Sequence, residues 1–509
     1  MIEKPLQHDT NSYRQIFVST SIIGGASIIN IVIGLIRTKI IAIILGPVGV
    51  GISALFGALM STGIAIAAAG LWTVGIRQIA EAHAHGEAHA LAVARRALFL
   101  AALALSLLGG GAVWLLRDFL ANVVFHDPAT APQIGLLGVG VALSVASSSQ
   151  GALIQGMRRI RDLASLSIGT GLLTTLVGVP LLWWAGTSGI VWYVILTPVV
   201  SFALGHWFVA RLPKASSESV RFPELVAQWT IFLRLGLPFA GAGIADTMIQ
   251  LLIRTDVQRQ LGPDSLGHFQ ASWTIGMQYM EIVLGAMATD YYPRLTAVIL
   301  DHAKACRLVN EQTEVALLLT GSAIIVMLAM APWVIGLLYT PEFAPAADML
   351  RWQAAADVLK VASWPLIFAI LAAGAARTFF LTQISTLLLM AGVIHYLLPE
   401  IGVAAGGVGY FTSYLFYLPL AYVLNAHGIG FRWSAEAGFA LALLVPLCVI
   451  TAGSILLAPA WTAIIGSLAA ATYGFFAFYR LRQIGIVSAA LAKLAKAGGG
   501  LSKGIIGSQ

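Results

Sequence analysis

The 509-residue chain is 59% apolar and only 10% charged, and its mean hydropathy is +0.87. Soluble domains carry about 25% charged residues, so these values exclude a water-soluble globular protein. The two cysteines, Cys306 and Cys448, exclude a disulfide framework.

Apolar runs long enough to cross a bilayer follow one another along the whole chain. They predict an all-α polytopic membrane protein with about fourteen transmembrane helices. The polar N-terminus MIEKPLQHDTNSYRQ is followed by an apolar run without a small-residue cleavage site. We therefore expect that run to be a retained first span and not a signal peptide.

Most of the 29 Lys and Arg residues fall in alternate connections between the apolar runs. This distribution predicts that both termini are cytoplasmic, because basic residues are concentrated in cytoplasmic loops. It also explains the net charge of +7 by membrane topology, so no nucleic-acid partner is predicted.

The Pro- and Ser-rich connection RLPKASSESVRFPE divides the chain into two parts of similar length. The predicted organisation is an N-terminal six-helix lobe (1–210), a cytoplasmic linker (211–232), a C-terminal six-helix lobe (233–430), transmembrane helices 13 and 14 (431–480) and a basic cytoplasmic tail (481–509).

The two predicted lobes share a repeated phrase. LIRTKIIAIILGP, at 35–47, returns as LIRTDVQRQLGP at 252–263, which places Arg37 and Arg254 217 residues apart. GMRR recurs as GAAR at the same offset to within one residue. A nearly constant offset indicates a duplicated six-span unit. Parallel repeats of this kind are related by an axis along the membrane normal, and substrates bind at their interface.

The first span carries Ser27, Asn30 and Arg37 at spacings that place them on one helical face. Polar faces of apolar helices must contact protein or water, because lipid cannot satisfy them. Lys39, two residues from Arg37, must point in another direction, and we interpret it as a snorkelling side chain.

The seventh span repeats the pattern with Asp246, Gln250 and Arg254, spaced four residues apart. Arginines at matched positions of two lobes predict a shared anionic substrate, because guanidinium groups bind phosphates in a bidentate manner. Two other interpretations stay open. Both arginines can snorkel to the outer interface, or Arg254 can pair with Asp246 or Asp256 in its own helix.

Further polar residues lie in the eighth and tenth spans. Gln278 is a candidate substrate contact, and the carboxylates Asp246, Glu281 and Asp357 are candidates for ion coupling. Asp357 and Lys360, three residues apart, can also simply neutralise each other. The sequence predicts no catalytic residue, cofactor or metal site, and the histidine-rich HAHGEAH is interpreted as a solvated loop.

The stretches IGLIRTKIIAIILGPVGVG and GIRQIAEA resemble the Wzx-type O-antigen translocases. These form the polysaccharide-transport branch of the superfamily that contains the MATE exporters and the lipid II flippase. The resemblance covers the whole chain and implies a MATE-like fold. In lipid II flippases the arginine at the position of Arg37 engages pyrophosphate, so the resemblance implies this role for Arg37.

The resemblance implies translocation of an undecaprenyl-pyrophosphate-linked oligosaccharide, an O-antigen or related repeat unit, across the bacterial inner membrane. Alternating access with ion coupling is the implied mechanism. The expected partners are this lipid-linked substrate, the lipid bilayer and the polysaccharide polymerase and chain-length machinery, with the protein itself a monomer.

Two other function classes are weighed against this one. A MATE-type cation or drug antiporter is expected to carry an acid in its first span, whereas the charges of the first span here are both positive. A membrane-embedded polymerase or glycosyltransferase needs a sizeable charged outer loop, and the predicted outer loops are short and nearly uncharged. The prediction is therefore a transporter and not an enzyme.

Overall fold

The computed structural model describes residues 9–68, 70–84, 88–213, 220–457 and 459–485. All regular secondary structure in these ranges is helical. The helices are α1 Asp9–Ala68, α2 Leu71–Ala84, α3 Ala88–Leu115, α4 Arg117–Leu120, α5 Ala131–Gly156, α6 Ile160–Ala185, α7 Ile190–Ala210, α8 Phe222–Val298, α9 His302–Leu338, α10 Ala346–Ala372, α11 Ala376–Ile401, α12 Ala404–Ile429, α13 Ala435–Gly453 and α14 Pro459–Gln483.

The helices α1 and α8 each consist of two arms that meet at a sharp turn. The turn in α1 is at Gly46, with φ +62°, and the turn in α8 is at Gly262, with φ +85°. Only glycine adopts this left-handed region without strain. Both glycines precede a proline, so the repeated LGP triplets are the points at which the helical geometry of α1 and α8 is interrupted.

Ten stretches of the described chain are long and apolar enough to cross a membrane. One of them, Gly24–Ala68, contains the Gly46 turn, and another, Ile160–Ala210, contains both α6 and α7; neither arm of α8 is among the ten. The all-helical prediction is therefore confirmed. The number of fourteen spans and the cytoplasmic position of both termini stay predictions.

The described residues divide into two compact units. Unit 1 lies within Met1–Gln270 and also takes in Leu338–Phe343, and unit 2 lies within Ala271–Leu337 and Ala344–Gln509. The division falls inside α8, whereas the sequence predicts a boundary in the linker 211–232. The predicted lobes follow the sequence repeat and stay a prediction.

Hydrogen bonds show why the first arm of α8 belongs to unit 1. The Thr62 hydroxyl of α1 donates to the Thr247 carbonyl at 3.1 Å, and the Trp229 indole donates to the Ala97 carbonyl of α3 at 3.1 Å. These bonds attach α8 to helices that precede it by more than a hundred residues.

In unit 2, α13 and α14 pack against α9. A side chain at Gly321 of α9 would overlap the ring of Tyr473, whose hydroxyl donates to the Leu317 carbonyl at 3.2 Å. An ion pair of 2.6 Å between Arg480 and Glu314 closes the same interface at one end. Small residues serve this purpose in membrane proteins because close packing, not water exclusion, drives helix association in lipid.

The two LGP turns lead into a crossing of the two long helices within unit 1. Each turn begins a G-P-x-x-x-G segment, GPVGVG at 46–51 and GPDSLG at 262–267. A Cβ atom at Gly51 would overlap the carbonyl oxygen of Pro263, and one at Gly267 would overlap that of Pro47. Gly51 and Gly267 are equivalent residues of the repeat, and each lies close to the proline carbonyl of the opposite turn. We call this contact the glycine crossing.

The glycine crossing yields a test of the packing. We expect Gly267→Ala to lower the free energy of unfolding by about 1–3 kcal/mol, because the added methyl meets backbone that cannot move aside. Thermal unfolding of the purified protein in detergent measures this loss.

Gly57→Ala is the matched control, because a Cβ at Gly57 has no neighbour within 4 Å. Alanine is also the better helix former, so this variant should unfold at or slightly above the temperature of the unmodified protein. Equal unfolding temperatures for the two variants would contradict the close approach at Gly267.

Candidate functional site

Arg254 is the best-buried cation of the predicted site and is only 8% exposed. Its Nη1 donates to both the carbonyl and the side-chain oxygen of Gln250, each at 3.0 Å. Its Nε donates to the Oε1 of Gln270 at 3.1 Å. Gln270 lies beyond the Gly262 turn, so the guanidinium joins the two arms of α8.

Asp246 continues this set of contacts along the same face of α8. The amide of Gln250 donates to its Oδ2 at 3.3 Å. The four-residue spacing of Asp246, Gln250 and Arg254 thus brings the three side chains into a connected row. Gln250 bonds to both Arg254 and Asp246 and so links the guanidinium to the carboxylate. This favours the interpretation that Arg254 is held by other residues of α8.

Arg37 has a different environment. Its side chain is half-buried and lies near the phenol of Tyr193 in α7. Among the residues that the structure describes, Arg37 makes no hydrogen bond or ion pair, so none joins it to Arg254. A permanently charged group in this position retains its full set of donors for a ligand.

The rest of the predicted face of the first span lies towards α6. The Asn30 amide donates to the Ser167 hydroxyl at 2.8 Å, whereas Ser27 is exposed. Asn30 and Arg37 thus lie near α6 and α7 respectively.

Lys39 does not end in solvent as the snorkelling interpretation expects. Its ammonium donates to the carbonyl of Tyr339, in the short segment after α9 that belongs to unit 1. The carbonyls at the C-terminal end of a helix are unsatisfied and carry partial negative charge, so they stabilise a cation. Lys39 therefore has a structural partner, which separates it from Arg37.

In unit 2 the carboxylate of Asp357 is completely buried. It accepts a hydrogen bond from the Tyr279 hydroxyl at one oxygen and from the Tyr410 hydroxyl, at 3.3 Å, at the other. Lys360 donates to the same Tyr410 hydroxyl at 2.9 Å. In the described part of unit 2, Asp357 and Lys360 are thus linked through Tyr410 and form no direct ion pair.

Neither tyrosine is predicted from the sequence to belong to the site. Tyr279 and Tyr410 lie 78 and 53 residues from Asp357, and no local spacing relates them to it. A buried hydroxyl needs a partner, so tyrosines within apolar spans are a signal that a search for charged residues alone overlooks.

The remaining predicted residues differ in exposure. Glu281 and Gln278 are exposed in unit 2, whereas Asp246 is half-buried in unit 1. Asp357 is therefore the one candidate ion-coupling carboxylate that is both fully buried and held by hydroxyl donors. No cluster of three or more metal-binding side chains occurs among the described residues.

The tyrosine bridge leads to a prediction about stability. Tyr410→Phe removes one hydrogen bond from Asp357 and one from Lys360 in a closely packed region, so we expect unfolding to become easier by about 1–3 kcal/mol. The unfolding temperature in detergent is the measurement. Tyr396→Phe is the control, because Tyr396 is 78% exposed; if both variants behaved alike, the bridge would contribute nothing to stability.

Residues 40–348 match the family described as "Polysaccharide biosynthesis protein". The Lipid III flippase of Escherichia coli (strain K12) is 22% identical over 413 residues, which cover 78% of this chain and 94% of the relative. The protein of the same name from Shigella flexneri gives the same values.

Two solved structures share the fold at low sequence identity. The lipid II flippase MurJ in an inward closed conformation has a TM-score of 0.65 at 12% identity, over 89% of this chain and 98% of that one. An inward-facing multidrug resistance MATE family transporter has a TM-score of 0.67 at 14% identity, over 79% of this chain and 94% of that one. The chain thus has the MATE-like fold that the sequence resemblance implies.

Proposed function

Because the chain belongs to the polysaccharide biosynthesis protein family, we propose that it is a flippase that moves a lipid-linked oligosaccharide across the membrane. The Lipid III flippases support this proposal, since their similarity to this chain extends over 94% of their length. The fold shared with a lipid II flippase is consistent with it. A large polar sugar cannot cross hydrocarbon unaided, so such a lipid needs a protein path.

The proposed substrate is an oligosaccharide linked to undecaprenyl pyrophosphate, an O-antigen or related repeat unit. The observation that carries this proposal is Arg37, a half-buried guanidinium in an apolar helix without a hydrogen-bond or ion-pair partner among the described residues. Pyrophosphate offers the paired oxygens that a guanidinium binds best. Arg37 is the proposed contact to the head group.

Arg254 and Gln250 have a supporting part in the same proposal. Several of their donors already serve the α8 hairpin, so they position that hairpin and complete the cationic site. Ser27, Asn30 and Gln278 are the proposed contacts to the sugars, and Asp246, Glu281 and Asp357 are the carboxylates proposed for ion coupling.

In an alternating-access mechanism, the glycine crossing is the contact that opens to release the substrate. If both termini are cytoplasmic, the two LGP turns lie on the external side of the bacterial inner membrane. Release of the oligosaccharide to that side then requires the crossing at Gly51 and Gly267 to part. Transport of this kind has no covalent step, and we propose that the chain acts as a monomer that passes its product to a polysaccharide polymerase.

The MATE-type antiporter is the second candidate, and the shared fold is the observation in its favour. A carboxylate at the binding site stabilises a cationic drug, and a nearby cation disfavours it. In the first span the half-buried charges are instead the cations Arg37 and Lys39, and Arg37 would repel such a drug. The flippase proposal accounts for this cation and the antiporter proposal does not.

The function is tested with purified protein in liposomes. The substrate is the lipid-linked oligosaccharide extracted from a strain that lacks this gene and therefore accumulates it. We expect the protein to expose the inner-leaflet sugars to an added membrane-impermeant glycosidase. Exposure no greater than in protein-free liposomes, together with export of a fluorescent cationic dye, would instead establish the antiporter.

The roles of the two arginines are tested separately. Arg37→Gln should reduce flipping about tenfold or more, since charge-assisted hydrogen bonds contribute about 1.5–3 kcal/mol, and should leave the unfolding temperature unchanged. Arg254→Gln should also lower the unfolding temperature, because it removes the contacts that join the arms of α8.

Arg259→Gln is the control, since Arg259 is an exposed arginine in the same helix as Arg254. Its flipping rate and unfolding temperature should match those of the unmodified protein. Full flipping by Arg37→Gln would rule out this residue as the head-group contact.

A further inference from the structure

Unit 2 contains a cavity of about 270 Å³ between α10, α11 and α12. The cavity lies beside the hydrogen bond between Tyr410 and Asp357, because Lys360 lines the cavity and also donates to the Tyr410 hydroxyl. Apolar side chains of the same three helices pack around the buried Ile367 and Tyr417. The cavity is thus a feature of a well-packed part of the chain.

Two of the side chains that line this cavity, Lys360 and Gln383, offer hydrogen-bond donors to a ligand. Lys360 uses one of its three ammonium donors on Tyr410, which leaves two for a ligand. Gln383 accepts a hydrogen bond from the Tyr417 hydroxyl at its Oε1, so its amide nitrogen supplies two further donors. Both side chains therefore select a ligand that is rich in oxygen acceptors.

Aromatic rings form most of the remaining wall: those of Trp364, Phe368, Phe379, Tyr414 and Tyr417. The faces of aromatic rings carry negative charge density and attract weakly positive C–H groups. A pyranose ring presents such C–H groups on its faces and hydroxyls around its rim. The aromatic walls of the cavity therefore match the C–H faces of a sugar, and the donors of Lys360 and Gln383 match its hydroxyls.

We propose that this cavity is a subsite for one pyranose ring of the oligosaccharide, with Lys360 and Gln383 donating to its oxygens and the aromatic rings packing on its face. The inference rests on the proposed function and names the part of the substrate that unit 2 recognises. Sites for drug-sized ligands measure about 300–1,000 Å³, and this cavity lies just below that range, which suits a ligand the size of one sugar ring. The charge of Lys360 excludes a cationic ligand.

The experiment measures the affinity of the full-length protein in detergent for two probes. One is undecaprenyl pyrophosphate without sugar, and the other is the lipid-linked oligosaccharide fraction extracted from the deletion strain. The unmodified protein should bind the sugar-bearing lipid more tightly. Gln383→Glu and Phe379→Leu should reduce this preference about three- to tenfold, the worth of about one hydrogen bond or ring contact, and should leave the affinity for undecaprenyl pyrophosphate unchanged.

These variants are chosen to keep the surrounding structure intact. Glutamate retains the oxygen that accepts from Tyr417 but replaces the amide donors of Gln383. Phe380→Leu is the control for Phe379→Leu, because Phe380 is the next residue of α11, is 38% exposed and does not line the cavity. The control should retain the full preference for the sugar-bearing lipid.

The outcomes separate this inference from the proposed function. If the unmodified protein flips the oligosaccharide lipid but both cavity variants keep the full preference for it, the subsite is wrong and the flippase stands. Equal losses for both probes would also overturn the subsite. If the unmodified protein neither binds nor flips either lipid, the proposed function itself fails.

Discussion

The contact between two backbones at Gly51 and Gly267 is the constraint on which the organisation of unit 1 depends. At each of these positions any side chain would overlap the proline carbonyl of the opposite turn. The crossing therefore requires glycine twice, at equivalent places in the repeat. It joins the second arm of α1 to the second arm of α8, and these two long helices also carry Arg37 and Arg254.

The two arginines illustrate how similar sequence positions acquire different physical roles. Arg254 is buried, and its donors are used by Gln250 and Gln270 to hold the α8 hairpin together. Arg37 is half-buried without such partners among the described residues, so its donors are available to a ligand. The proposed anionic head group matches these donors, and a cationic drug does not.

In unit 2 the charged group that needs stabilising is the buried carboxylate of Asp357. A fully buried carboxylate at Asp357 is costly unless it is hydrogen-bonded, and the Tyr279 and Tyr410 hydroxyls supply those bonds. Tyr410 also connects the carboxylate to Lys360, which lines the neighbouring cavity. Unit 1 thus contains a half-buried cation, and unit 2 contains a buried carboxylate that is linked to Lys360 through the Tyr410 hydroxyl.

By itself the sequence determined the helical class and the row of Asp246, Gln250 and Arg254, because hydropathy and four-residue spacing act over a few residues. The glycine crossing, the capping of α9 by Lys39 and the bridge from Asp357 through Tyr410 to Lys360 were decided only by the tertiary structure. Their partners are tens to hundreds of residues apart in the chain, and no local pattern encodes which polar groups will meet when helices pack.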